Sequence, residues 1–275
     1  MTSLQRLATS PLDKVWGSPL TEPWYRNTDQ RQIGEIWFKA SEAVPLLVKF
    51  LFTSDKLSVQ VHPDDAFAKE HENSLGKTEM WHVLRAEPDA RIAIGLRETI
   101  TPERLRSASL SGEIEALLSW IPARPGETFF IPAGTIHAIG GGLVLCEVQE
   151  LSDVTYRLND YGRPRELHLE KGVEVSHLGP WNALVQPKTL LDGRELLCEC
   201  PWFRTERLAI RGRATCPAAQ RGTLYIALSG KGLIDGNAFE TGEAWEAAAG
   251  SNPFEIESGE AVFLITSEPV TRPAS

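Results

Sequence analysis

Short runs of β-branched and aromatic residues, each ended by Gly, Pro, Asn or Asp, recur along nearly the whole chain, and that rhythm predicts a mainly β fold. The clearest runs cover residues 46–52, 57–61, 79–84, 90–95, 128–131, 144–151, 224–228, 232–235, 253–256 and 261–265. One stretch, 101–120, breaks it. Thr101 followed by Pro102 is a helix start, and Leu105, Ile114, Leu117 and Leu118 supply a helical stripe, so a small helical excursion is expected there. Residues 163–200 are richer in charge and lack steady alternation. They divide the chain into an expected first module (1–165), a connecting region (166–200) and a second module (201–275), whose Gly-punctuated strands at 222–230, 242–247 and 259–265 have the turn pattern of a barrel. No His follows His177, so metal chemistry is expected in the first module alone.

The 275 residues, 42% of them hydrophobic, suffice for a large core without staples. A net charge of −9 argues against nucleic acid as a partner, and an anionic substrate must then meet a local positive pocket. Cys146, Cys198, Cys200 and Cys216 contain no C-x-x-C pair, and residues 1–5 open no signal-like segment, so a cytoplasmic protein with reduced thiols is expected. Apolar runs such as 44–52, interrupted by Lys49, are far shorter than the ~20 residues of a membrane span, and no membrane partner is expected. Oligomeric state is not encoded legibly.

Three strings carry chemistry. In SVQVHPDD (58–65) the period of two puts Ser58, Gln60 and His62 on one strand face and Val59 and Val61 on the other. In GKTEMW (76–81), Lys77 and Glu79 share a face, and a Glu entering an increasingly apolar run needs a cation. In GETFFIPAGTIH (126–137), Pro132 sets φ, Gly134 permits a sharp reversal and His137 follows the turn, matching the second cupin motif G-x5-P-x-G-x2-H at every stated position. Gln60, His62, Glu79 and His137 together offer two imidazoles, one carboxylate and one amide oxygen. This set suits zinc, or by the same ligand types iron or manganese, and leaves a net positive charge that favours an anionic intermediate. His71, His168 and His177 lack motifs and read as structural or surface residues. His82 reads as either core or pocket rim. Cys198 and Cys200 point the same way on a strand, as free thiols or a metal pair.

These strings, with EVQELSDVTYRLNDYGR (147–163) and the weaker KVWG (14–17), closely resemble the type I mannose-6-phosphate isomerases in identity, order and spacing. The resemblance is strong over 34–175 and fades to general cupin character afterwards. It implies a fold of two cupin barrels, one Zn2+ per chain held by Gln60, His62, Glu79 and His137, and reversible isomerisation of mannose 6-phosphate to fructose 6-phosphate. It further implies that Arg157 is the active-site arginine, that Asp153 and Lys77 handle substrate, that Ser58 contacts it, and that Glu147 occupies an acidic substrate-site position. The large helical insertion of long members is absent, Ile139 stands where some members have Tyr, and His82 where short members usually have Tyr.

Aldose–ketose isomerisation moves a proton between adjacent carbons through an enediol or enediolate, which calls for a base near the carbons and positive charge near their oxygens. Asp153, Glu147, Lys77 and a metal-activated water are all admissible bases, and a Lys base would need a depressed pKa. Ser58, Lys77, Arg157 and Arg163 are the candidates for phosphate recognition. Competing readings are a sugar-phosphate-binding regulator without turnover, and a metal cupin isomerase, epimerase or oxygenase acting on another substrate.

Overall fold

The computed structural model describes residues 4–269. The chain folds into three sheets whose strand pairings are all antiparallel, as the mainly β expectation requires. A six-stranded sheet runs in the order Ala8–Ser18, Ile33–Lys39, Leu46–Thr53, Leu143–Glu150, Glu79–Ala86, Thr128–Ile131. A five-stranded sheet runs Tyr156–Asn159, Val59–Val61, His137–Ile139, Arg91–Leu96, Leu118–Pro122. The third sheet, of eight strands, is built mainly from residues beyond 187.

The middle strands of the six-stranded sheet are buried on both faces. Leu46, Val48, Phe50 and Phe52 alternate onto one face with Met80, Val144, Cys146 and Val148, where they pack with Phe203 and with Leu197, Leu224, Ile226 and Leu264 of the eight-stranded sheet. Leu51, Trp81, Val83 and Leu145 take the other face and pack with Ile92, Ile94 and Ile139 of the five-stranded sheet. These strands therefore read as near-continuous apolar runs, and Lys49, Glu79 and Glu147 are charged interruptions within them.

Several expected boundaries shift. Leu4–Arg6 pairs with Ala244–Ala247, so this segment belongs to the eight-stranded sheet and not to the first module assigned to 1–165. The runs at 224–228 and 232–235 form one strand, Thr223–Ile234, and those at 253–256 and 261–265 form another, Phe254–Ser267. The intervening glycines mark register shifts instead of turns; Gly230 has φ +93° and lies where the pairing slips. The strand expected at 57–61 is Val59–Val61.

The helical excursion is present but shorter. Thr101 caps Pro102–Ser111 through a bond to the Arg104 amide, Gly112 ends the helix at φ +82°, one turn follows at Ile114–Leu117, and 118–122 is strand. Two short helices, Asp65–Glu72 and Leu169–Val175, carry too few apolar residues to show in the pattern. Among the described residues no helix is long and apolar enough to cross a membrane.

Phe203 is fully buried in the core shared by both modules. Phe203→Ala is expected to lower unfolding free energy by roughly 3–5 kcal/mol, measured by urea denaturation followed by tryptophan fluorescence; a loss below about 1 kcal/mol would mean that the shared core contributes little.

Candidate functional site

Two facing rungs build the site. In the five-stranded sheet Gln60 stands between His137 on one strand and Arg157 on the other. Residues paired across strands share a face, so one rung turns all three toward the interior, and the period of two adds Ser58 and His62. The opposite face carries Val59, Val61, Ala138, Tyr156 and Leu158, which are sealed against the helices. Across the gap, Lys49, Glu147 and Trp81 occupy one rung of the six-stranded sheet, and Gln149 pairs with Glu79 on the same face.

His137 reaches this position through the turn at Gly134, which has φ +83° and donates its amide to the His62 carbonyl. The ligand atoms of His62, Glu79 and His137 lie within 4.8 Å of one another, and all three residues are buried. His62 Nε2 is 3.7 Å from Glu79 Oε2, and His137 Nε2 is 3.4 Å from Oε1. Each Nδ1 lies 2.8 Å from a backbone carbonyl, Val154 for His62 and Thr135 for His137. That contact requires the proton on Nδ1 and leaves each Nε2 as a bare lone pair. His62 Nε2 and both Glu79 oxygens are buried without a hydrogen-bond partner. Such acceptors, converging from two strands and the end of a third, fit a bound cation in addition to Lys77, whose ammonium lies 3.2 Å from Glu79 Oε2.

The electrostatics agree. Burial, joined by the positive charge of Lys77, holds His62 well below the usual imidazole range, and burial lowers His137 to about 4, so both rings are neutral and able to ligate. Burial raises Glu79 to about 8 despite the pull of Lys77 3.2 Å away, a penalty that a cation at the three-residue cluster would remove. Gln60 stands beside the cluster with its amide nitrogen 3.2 Å from His137 Nε2, while its oxygen accepts from the Ser58 hydroxyl. Among the described residues His62, Glu79 and His137 are the group of this kind that the fold assembles.

Next to it lies a cavity of about 250 Å³. Trp16, Leu51, Leu57 and Ile139 give it an apolar wall, and Ser58, Gln60, Lys77, Glu147, Asp153 and Arg157 all line it. Five cations, Lys14, Lys49, Lys77, Arg157 and Arg165, face three carboxylates, Glu35, Glu147 and Asp153. A local positive pocket thus exists in a chain of net charge −9. Glu147 accepts from Trp81 Nε1 at 3.0 Å and pairs with Lys49 at 3.2 Å; burial opposes its ionisation, but Lys49 and Lys77 outweigh burial and hold it at about 2. Burial also disfavours charge on Lys77, yet Glu79, Glu147 and Asp153 raise its pKa above the ordinary value. The depressed pKa that a Lys base requires is therefore not produced by these neighbours.

Arg163 departs from expectation. It binds Asp55, Asp160 and the Lys56 carbonyl and does not line the cavity, whereas Arg165 does. Lys49, Lys14, Glu35 and Arg165 escaped the sequence reading, although Lys49 inside the run 44–52 was a signal of the same kind as Glu79. His82 belongs to the core: it shares a strand face with Met80, bonds Thr128 Oγ1 at 2.8 Å and is repelled by Arg207 of the second module. Cys198 and Cys200 are free thiols.

His82 gives a pH prediction. Burial, with Arg207, lowers it from 6.5 to about 4. The unfolded chain then binds more protons between those values, so the native state loses stability as pH falls from about 6.5 to about 4. His82→Gln should lose less stability than the parent chain over that interval in urea titrations; equal losses would show that His82 is solvated.

No family model matches the chain. Curated proteins do, among them the mannose-6-phosphate isomerase of Streptococcus mutans, 41% identical over 204 residues, 70% of this chain and 64% of that protein, and the probable mannose-6-phosphate isomerase GmuF of Bacillus subtilis, 36% identical over 256 residues, 90% of this chain and 76% of that protein. This chain thus spans less than two thirds of the Streptococcus protein. Among solved structures, mannose 6-phosphate isomerase from Bacillus subtilis superposes with a TM-score of 0.86 at 24% identity, covering 97% of this chain and 99% of that one. A zinc-bound holo mannose 6-phosphate isomerase superposes at 0.78 and 17% identity, covering 98% of this chain and 100% of that one.

Proposed function

Because the chain belongs to the mannose-6-phosphate isomerase family, we propose that it interconverts mannose 6-phosphate and fructose 6-phosphate with one zinc ion held by His62, Glu79, His137 and Gln60. The observation that carries this reading is the meeting of buried, unpartnered ligand atoms with a cationic cavity in an acidic protein. Gln60 would join the ligands by rotating its terminal amide to exchange oxygen for nitrogen. When bound, zinc supplies positive charge against a sugar oxygen as a Lewis acid. The two sheet systems are read as two cupin barrels joined through 166–200, with the metal in the first.

The chain's own residues supply the rest. Arg157, paired with Gln60 in the same rung, would place its guanidinium where an enediolate oxygen gains charge. Lys77 holds Glu79 and offers further ammonium protons to sugar oxygens. Glu147 has both oxygens engaged, by Trp81 and Lys49, and is a poor proton acceptor. Asp153 is 61% exposed at its side chain and its one ion pair among the described residues is a 3.7 Å contact with Lys49, so it is the carboxylate free to carry the proton between the two carbons. Ser58 and Glu147 complete the substrate contacts at the floor.

Two experiments test the reading. His62→Ala combined with His137→Ala should abolish bound zinc, measured by elemental analysis, and activity toward mannose 6-phosphate in a coupled assay, while the thermal unfolding transition persists, because the core does not depend on the metal. Zinc still bound at one per chain would place the metal elsewhere. Arg157→Lys and Arg157→Ala should each lower kcat by at least ~10²-fold with zinc retained, since Lys keeps the charge but loses the planar fork. A rise in KM alone would make Arg157 a binding contact and move the stabilising charge to another group.

A further inference from the structure

The cavity's five cations are not equivalent. Lys14 is matched by Glu35 at 3.1 Å, Lys49 by Glu147 at 3.2 Å and Lys77 by Glu79 at 3.2 Å. Two arginines remain. Among the described residues Arg157 has no carboxylate partner: its Nη1 donates to the Glu166 carbonyl at 2.8 Å, and its Nε is buried without an acceptor. Arg165 is gripped along one edge, Nε and Nη2 binding the two oxygens of Asp160 at 2.6 and 2.7 Å. Asp160 is buried and does not line the cavity, whereas Arg165 does. The carboxylate therefore stands behind the guanidinium and fixes its plane, while Nη1 has no protein acceptor among the described residues.

Hydrogen bonds tie Arg157 to the segment that carries Arg165, and both arginines line the same cavity. The Arg157 amide donates to His168 Nδ1 at 3.1 Å, and the His168 amide donates to the Arg157 carbonyl at 2.8 Å. Arg163 braces the same Asp160 at 3.2 Å and ties it to Asp55 and the Lys56 carbonyl, facing away from the cavity. After burial, the charge of Arg165 is the next largest influence lowering the pKa of Arg157. Two like charges are thus held close on a cavity wall, and an anion seated against them would relieve the repulsion.

We propose that Arg165, locked from behind by Asp160, is the cation that binds the phosphate group of the sugar phosphate, with Arg157 beside it left for the reacting end. The assignment rests on the sugar-phosphate reading above. A phosphate dianion presents several oxygens to a planar fork, and an arginine immobilised by a buried carboxylate loses little freedom on binding it.

The test is steady-state kinetics on zinc-loaded protein. Arg165→Gln should raise KM for mannose 6-phosphate by at least roughly 10-fold, the scale of one charge-assisted contact, with kcat within about 3-fold and zinc content unchanged. Arg163→Gln, which touches the same Asp160 from outside the cavity, should leave KM within about 2-fold. Because Arg165→Gln strips a partner from a buried carboxylate, Asp160→Asn with Arg165→Gln serves as a second variant, and the same rise in KM is expected. Unchanged KM in both Arg165 variants, or a loss confined to kcat, overturns the assignment. If the parent chain does not turn over mannose 6-phosphate, the functional reading fails, and the subsite is judged separately by calorimetric titration with glycerol 3-phosphate against glycerol. Binding of the phosphate ester alone, weakened at least roughly 10-fold by Arg165→Gln, supports the subsite; equal binding by parent and variant overturns it.

Discussion

Lys49, Glu147 and Trp81 form one rung of the middle strands of the six-stranded sheet, which are buried on both faces, and the chemistry of the cavity is organised around that constraint. One side of the sheet is pressed against Phe203, Leu224 and Leu264 of the second module. Charged side chains on the other side must therefore find partners within the protein. Removing one member of such a buried pair typically costs about 3–5 kcal/mol, because the other is left uncompensated. Lys49 with Glu147 and Lys77 with Glu79 meet that demand by pairing, and pairing immobilises them. The site is thus held rigid by the requirement that keeps the core folded.

The same geometry reconciles an acidic protein with the anionic substrate proposed for it. Net charge acts over distances longer than the ~8 Å Debye length only weakly at physiological salt. Inside a walled cavity the local count decides, and there cations outnumber carboxylates five to three. Low-dielectric walls, here Trp16, Leu51, Leu57 and Ile139, strengthen that local field. His62 Nε2 and both Glu79 oxygens have no hydrogen-bond partner even though Lys77 lies 3.2 Å from one of those oxygens, and a divalent cation is the simplest group that fits the three ligand side chains.

Much of this was legible from residue order. Alternation in SVQVHPDD put Ser58, Gln60 and His62 on one face, and the Pro132–Gly134 turn announced His137, because both are local consequences of strand period and φ. The helix start at Thr101–Pro102 was legible for the same reason. The glycines of the second module misled: Gly230 looks like a chain reversal, yet its strand continues through a slipped register, a choice made by neighbouring strands and not by the glycine. Helices Asp65–Glu72 and Leu169–Val175 were invisible since their short apolar faces are completed by contacts distant in sequence.

Residue types and their spacing by themselves determined the mainly β class, the buried cluster of His62, Glu79 and His137 with Gln60 alongside that could hold a metal, and the resemblance to the mannose-6-phosphate isomerase family. These depend on side-chain chemistry and on periods of a few residues. Only the tertiary structure decided that Arg165 and not Arg163 faces the cavity, that Lys49 pairs with Glu147, that His82 looks toward the second module, and that Leu4–Arg6 closes the far sheet. Each of those is set by which strands become neighbours and in what register. That outcome comes from burying both faces of the central sheet at once, and no short window of sequence contains it.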